Sequence, residues 1–361
     1  MQPHDIVAIG ASAGGVEALA TLVHDLPRDL PAALFVTVHF PAGATSVLPA
    51  ILGRAGPLRA VHAIDGASIQ PGNIYIAPPD RHLTLHPTAI RLARGPTENG
   101  NRPAIDPMFR SAAVAFGARV IGIVLTGNLD DGTSGLLAIH RCGGVTVAQD
   151  PADALFPSMP ASAIKYATVD HVVRLAALAP LLVELVDGGR GGRRQPPSAG
   201  ATVSGAAPVE ERDREEVAYS ELDLGVVEEP RAHPGAVSAY SCPDCGGVLW
   251  EIRDGAMVRF RCRVGHAWTS DALVERQGAT LDTALWIALR ALEESAALNR
   301  QMAARMHRRE VPELAERFAR EAVAAEDRAR IVRDVLMGED RTGAPTTDPV
   351  PQAGAESRRA G

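Results

Sequence analysis

The chain has 361 residues, 46% of them hydrophobic but only 4% aromatic, so it can bury a sizeable core built mainly from Ala, Val, Leu and Ile. A formal charge of −7, with no basic stripe interleaved with aromatics, argues against a nucleic-acid partner. No apolar run approaches a membrane span and no basic-then-apolar leader opens the chain, while its four cysteines are too few for a disulfide scaffold; a cytoplasmic protein without membrane insertion is expected.

From residue 1 to 187, short β-rich runs alternate with helix-compatible segments. The runs cover residues 6–9, 34–38, 74–77, 120–125 and 145–148, and several are apolar at every position. Strands buried on both faces read this way, so the pattern predicts an α/β domain with a parallel sheet covered by helices. Residues 83–85 and 90–92, separated by His86-Pro87-Thr88-Ala89, predict an inserted hairpin. Residues 188–237 open with a Gly/Arg/Pro-rich stretch and turn acidic, with little apolar periodicity, and are expected to be a disordered linker.

A compact module over residues 238–270 follows. Cys242-Pro243-Asp244-Cys245 is a tight Cys-x-x-Cys turn, and Cys262 and His266 stand beyond a predicted hairpin formed by residues 248–252 and 257–261. Two short ligand pairs flanking a hairpin are how a ribbon places four ligands around structural zinc. The alternative, a thioredoxin-like redox pair, lacks a surrounding βαβ pattern. Cys142, alone after an apolar stretch, is expected in the core. Residues 271–338 predict a helical hairpin. Leu281, Leu285, Leu289, Leu292, Met302 and Met306 lie near one face of its first helix, and Leu314, Phe318, Ala322, Ala325, Val332 and Leu336 trace the second. Pro312 suits a first turn and Gly338 a C-terminal cap. Residues 339–361 are expected to be a disordered tail.

The chemistry concentrates at Gly10-Ala11-Ser12-Ala13-Gly14-Gly15, between the first apolar run and a helix-compatible segment. A strand turning through Gly-x-Ser-x-Gly into a helix exposes its serine on a tight bend where backbone N–H groups and the helix dipole favour developing negative charge. A phosphate-binding turn is the alternative, but the Gly-x-Gly-x-x-Gly spacing is missing and no acidic residue closes the second strand. A serine needs a base and a group to orient that base. His39 ends the second strand and Asp131 follows a later one, so a parallel sheet would deliver Ser12, His39 and Asp131 to one rim. Asp130 and Asp131 also suit a helix N-terminus, and the Ser-His-Asp order differs from that of α/β-hydrolases.

The segments Ile9-Gly10-Ala11-Ser12-Ala13-Gly14-Gly15, Val38-His39-Phe40-Pro41, Tyr75-Ile76-Ala77-Pro78-Pro79-Asp80-Arg81-His82 and Arg102-Pro103-Ala104-Ile105-Asp106-Pro107-Met108-Phe109-Arg110-Ser111 resemble the catalytic domain of the chemotaxis methylesterase CheB. So do Leu125-Thr126-Gly127 with Asp131-Gly132, and Ala148-Gln149-Asp150 with Phe156-Pro157-Ser158-Met159-Pro160. The resemblance spans residues 5–187 in order. It implies a doubly wound parallel sheet, the triad Ser12, His39 and Asp131, and no cofactor for catalysis. The implied reaction is hydrolysis of γ-glutamyl methyl esters on methyl-accepting chemotaxis receptors or related sensory proteins, with receptor glutamine deamidation as a second activity.

Two segments depart from the family pattern. Ala13 stands where threonine is frequent, and the Thr-Gly-Met-Gly-x-Asp-Gly loop reads Thr126-Gly127-Asn128-Leu129-Asp130-Asp131-Gly132. Backbone N–H groups near Ser12 and in the Gly127-Asn128 loop remain candidates for an oxyanion hole. These departures keep two alternatives open: a catalytically weak scaffold in a sensory complex, or an esterase of small molecules. No receiver domain stands ahead of the first strand, so activation by phosphorylation within this polypeptide is not expected, and regulation would fall to a separate partner. Residues 1–187 are expected to act alone, with the C-terminal module as a tether.

Overall fold

The apolar runs become strands because each is covered on both faces, and the helices between them supply the covers. The computed structural model describes residues 4–41, 43–188, 211–221 and 235–338. The chain divides into two units, Met1–Arg276 and Gln277–Gly361.

The first unit begins β1 (Ile6–Ala11), α1 (Gly15–His24), β2 (Ala33–Val38), α2 (Leu48–Ala55), β3 (Arg59–His62) and β4 (Asn73–Ile76). The hairpin β5 (His82–Leu85) and β6 (Ile90–Ala93) follows. Next come α3 (Ile105–Phe116), β7 (Val120–Val124), α4 (Thr133–Arg141), β8 (Val145–Gln149), α5 (Ser158–Tyr166), β9 (His171–Val173) and α6 (Leu175–Val186). Seven strands form one parallel sheet in the order β3-β4-β2-β1-β7-β8-β9. The chain winds outward from β1 first on one side and then on the other, which leaves a crevice at the carboxyl end of β1 where the direction reverses.

Side chains alternate between two cores. Val7, Ile9, Leu34, Val36, Ile121 and Ile123 face α1, α2 and α6. Ile6, Ala8, Phe35, Val120 and Val124 face α3, α4, α5 and the hairpin, and Cys142 is buried there as expected. The two edge strands β3 and β9 carry no continuous apolar run, because none of their residues is fully buried; that is why periodicity misses them.

Most of the expected linker, 188–237, lies outside the described residues, as does the expected tail, 339–361. Within that linker, however, Glu211–Ser220 forms a helix, α7, with Asp213, Glu216, Val217, Tyr219 and Ser220 buried. Its sequence is strongly polar, so apolar periodicity gives no warning; α7 is held by ion pairs. Beyond it, β10 (Ala236–Ser241), β11 (Val248–Asp254), β12 (Met257–Cys262) and β13 (Ala267–Thr269) make an antiparallel sheet in chain order. The central hairpin is the expected one, with a flanking strand added on each side.

This ribbon belongs to the same compact unit as the parallel sheet. The reason is electrostatic. Arg110 of α3 reaches Glu98 Oε2 at 2.5 Å, and Arg261 of β12 pairs with both Glu98 and Glu216 of α7. Arg259 meets Glu216 at 3.1 Å. All five side chains are buried. Burial alone would raise the carboxyl pKa of both glutamates, but the surrounding guanidinium groups outweigh it and hold both below the ordinary value. At the periphery Arg141 bridges Asp213 at 2.6 Å and Asp254 at 2.7 Å. Buried charges this dense are tolerable only while every partner is present.

In the last part of the chain, α8 (Ser270–Arg308) and α9 (Pro312–Gly338) are the expected helices. Leu289, Ala329 and Leu336 are buried between them, packed by Leu285, Leu292 and Val332. Leu281 and Leu314, expected on the same faces, are exposed. No described helix is long and apolar enough to cross a membrane.

Candidate functional site

Register alone brings the three candidate residues together. Ala11 pairs with Val38 and Gly10 with Val124 across adjacent parallel strands, so Ser12, His39 and the segment after β7 leave the sheet at one edge. At the end of β1 the Ser12 N–H donates to Thr126 O at 3.0 Å, and the chain turns through Gly14, φ +71°, into α1. That left-handed φ is one a side chain would resist. Gly127 is required for a different reason: a Cβ there would lie 2.8 Å from Ser12 Cβ and from Met159 Sδ.

His39 Nδ1 lies 3.0 Å from Ser12 Oγ, and His39 Nε2 lies 2.7 Å from Asp131 Oδ2. A carboxylate accepts only, so Nε2 carries the proton and the Nδ1 lone pair faces the serine hydroxyl. The nitrogens are thus exchanged relative to the serine-protease template, in which Nε2 faces the nucleophile. The His39 side chain is 14% exposed and that of Asp131 2%, so the imidazole is reachable from the rim while the carboxylate is sealed.

Asp131 is held by the start of a helix. Its Oδ2 accepts the Ile105 N–H at 2.8 Å, and Oδ1 accepts those of Asp106 at 3.2 Å and Gly132 at 3.0 Å. Ile105 and Asp106 open α3, where N–H groups lack intrahelical partners and the dipole favours an anion. Burial alone would raise the Asp131 pKa, but the His39 and backbone hydrogen bonds outweigh it and hold it below the ordinary carboxylate value. Burial, reinforced by Asp131, pushes neighbouring Asp106 well up, so Asp131 carries the charge. The α3 start is itself fixed by buried His82, whose Nδ1 accepts the Ala104 N–H at 3.3 Å and whose Nε2–H donates to Pro96 O at 2.9 Å. Asn99 adds a donor to Asp131 Oδ1 at 3.4 Å.

Sequence reasoning missed this support. The Arg102–Ser111 stretch carries a family resemblance, but nothing in it announces that its value lies in two backbone N–H groups. The oxyanion candidates also narrow. The Gly127 N–H is spent on Phe156 O at 2.9 Å and that of Ser12 on Thr126 O, which leaves the N–H groups of Ala13 and Asn128 as candidates.

The four predicted metal ligands converge. The ligand atoms of Cys242, Cys245, Cys262 and His266 all lie within 4.8 Å of one another, a grouping that could hold a metal ion. Cys242 Sγ is 3.6 Å from His266 Nδ1, Cys262 Sγ is 3.5 Å from that same nitrogen, and Cys245 Sγ is 3.6 Å from Cys262 Sγ. Hydrogen bonding from the Cys262 thiol, with His266 adding to it, lowers the Cys242 pKa, while the same contact together with burial raises that of Cys262.

A model of the CheB methylesterase family matches residues 7–182. A protein-glutamate methylesterase/protein-glutamine glutaminase of Yersinia pestis is 38% identical over 189 residues, 51% of this chain and 54% of that protein. One from Caulobacter vibrioides is 37% identical over 194 residues, 53% of this chain and 56% of that protein. The chain thus spans about half the length of the curated relatives it matches. The crystal structure of the Thermotoga maritima CheB methylesterase catalytic domain aligns with a TM-score of 0.49 at 34% identity, over 51% of this chain and all of that one. Residues 7–182 thus form a CheB methylesterase family domain.

Proposed function

We propose that this protein is a cytoplasmic protein-glutamate methylesterase that hydrolyses γ-glutamyl methyl esters on chemoreceptors by a Ser-His-Asp mechanism. The observation that carries this reading is the continuous hydrogen-bond line from Ser12 Oγ through His39 to buried Asp131. Ser12 Oγ attacks the ester carbonyl while His39 Nδ1 takes its proton, and Asp131 stabilises the imidazolium that results. The tetrahedral oxyanion is met by the Ala13 and Asn128 N–H groups; one such donor is typically worth about 3–4 kcal/mol. His39 returns the proton to methanol as the C–O bond breaks, leaving an acyl-enzyme. Water, deprotonated by the same nitrogen, then releases glutamate and regenerates Ser12. With a glutamine side chain the leaving group is ammonia, which accounts for deamidation as a second activity.

The cysteine cluster fits zinc. A tetrahedron with Zn–S of about 2.3 Å and Zn–N of about 2.0–2.1 Å spaces its ligand atoms roughly 3.5–3.8 Å apart, and three of the separations here are 3.5, 3.6 and 3.6 Å. Four protein ligands leave no open position, so the ion's role is structural; catalysis needs no cofactor. Methyl-accepting receptors or related sensory proteins, together with a separate regulator, are the partners this reading implies. Methanol release from a methylated receptor fragment tests it: the wild type should turn over and Ser12→Ala should not. Equal turnover by the variant would reject the assignment.

A further inference from the structure

The loop that carries Asp131 is gripped from two sides. One side is the start of α3, described above. The other is the cysteine ribbon. Thr269, the last residue of β13, donates its hydroxyl to Asp130 Oδ1 at 2.7 Å, and both side chains are buried. The Thr269 N–H donates to Asn99 Oδ1 at 2.9 Å, and Asn99 Nδ2 reaches Asp131 Oδ1 at 3.4 Å. The segment holding Asn99 is stitched to β13 as well: the Asn99 N–H donates to Ala267 O at 2.8 Å and the Ala267 N–H to Thr97 O at 3.2 Å.

Leu129, in the same catalytic loop, has φ +61°, a conformation a leucine resists. It packs on the ribbon core formed by Cys242, Leu249, Phe260, Cys262 and Trp268. Two of those core residues are metal ligands, and a third ligand, His266, immediately precedes β13. Three consecutive loop positions, Leu129, Asp130 and Asp131, are therefore held directly or through Asn99 by a module whose fold depends on the cluster.

We infer that Thr269 and Asn99 are positioning residues for the esterase and that the metal-bound ribbon sets the geometry of the Asp131 loop. This inference rests on the assignment of Asp131 to the triad and of the cluster to zinc. Two consequences distinguish it from a merely docked module. Loss of the Thr269 hydroxyl should lower the rate of the chemical step without weakening reagent binding, and removal of zinc should act on the same loop.

The test uses the full chain and a fluorophosphonate probe that labels activated serines, so no receptor is needed, with Ser12→Ala as the unlabelled control. In Thr269→Val the maximal labelling rate should fall about 10- to 100-fold, as expected for a misplaced catalytic group. The half-saturating probe concentration should stay unchanged, and Thr269→Ser should restore the rate. Amide hydrogen exchange should accelerate across residues 128–132 but not in β1 or β7, both in Thr269→Val and after chelation monitored by zinc content. Wild-type labelling rate, pH profile and loop exchange in Thr269→Val would overturn the inference, as would wild-type loop exchange in protein shown to have lost its zinc. Labelling that survives Ser12→Ala would instead overturn the triad assignment, and this inference with it.

Discussion

Asp131→Asn separates the charge of the proposed third triad residue from its shape. Both Asp131 oxygens face donors only: Oδ2 meets His39 Nε2 and the Ile105 N–H, while Oδ1 meets the Asp106 and Gly132 N–H groups. An asparagine amide must aim its NH2 at one of these pairs. At the Oδ2 position it forces His39 to accept at Nε2, which moves the ring proton to Nδ1, toward Ser12, and abolishes base action. In a serine protease this change costs about 10⁴-fold, or about 5.5 kcal/mol at 1.36 kcal/mol per decade. At the Oδ1 position it leaves two buried N–H groups unpaired, at about 1–3 kcal/mol each. The amide therefore prefers the Oδ2 side, where it opposes one backbone N–H instead of two, so both a rate loss approaching 10⁴-fold and a lower unfolding midpoint are expected. The wild-type Asp131 pKa is depressed on folding. It therefore adds stability that is present above the unfolded value of about 3.9 and is lost as pH falls through the folded value. The variant should flatten that acid limb. Methanol release and thermal unfolding between pH 3 and pH 8 read both effects; activity within tenfold of wild type at neutral pH would refute the reasoning.

Gly127→Ala places a methyl 2.8 Å from Ser12 Cβ and from Met159, so turnover should fall by about 10²-fold through displacement of the nucleophile, and a wild-type rate would show that the turn can relax. Glu216→Gln leaves the buried guanidinium groups of Arg110, Arg259 and Arg261 with too little opposing charge; removing one partner of such a cluster costs about 3–5 kcal/mol. A denaturant midpoint equal to wild type would show that α7 is dispensable. Cys262→Ser should reduce bound zinc from one per chain to a small fraction, as read by elemental analysis of protein purified without chelator. No metal in the wild type would remove the zinc assignment.

Much of the esterase fold is legible in the residues themselves, because strands buried on both faces must be apolar throughout and the β1 and β2 runs leave no other reading. Ser12, His39 and Asp131 could be nominated from the sequence because each ends or follows such a run, and parallel register then delivers them to one edge. The cysteine cluster was legible in its spacing, since two short pairs about a hairpin have few ways to fold. What packing contributes is invisible to periodicity. The helix α7 reads as linker because its buried residues include Asp213 and Glu216, whose partners Arg141, Arg259 and Arg261 stand far from them in the chain. Edge strands β3 and β9 lack a fully covered face, and the N–H groups of Ile105 and Asp106 belong to backbone that any residue would supply. The pairing of Thr269 with Asp130 spans 139 residues. Propensity and spacing report on neighbours along the chain; which distant charge or hydroxyl comes to rest on a catalytic loop is decided only when the ribbon docks, because burial is what makes that contact strong.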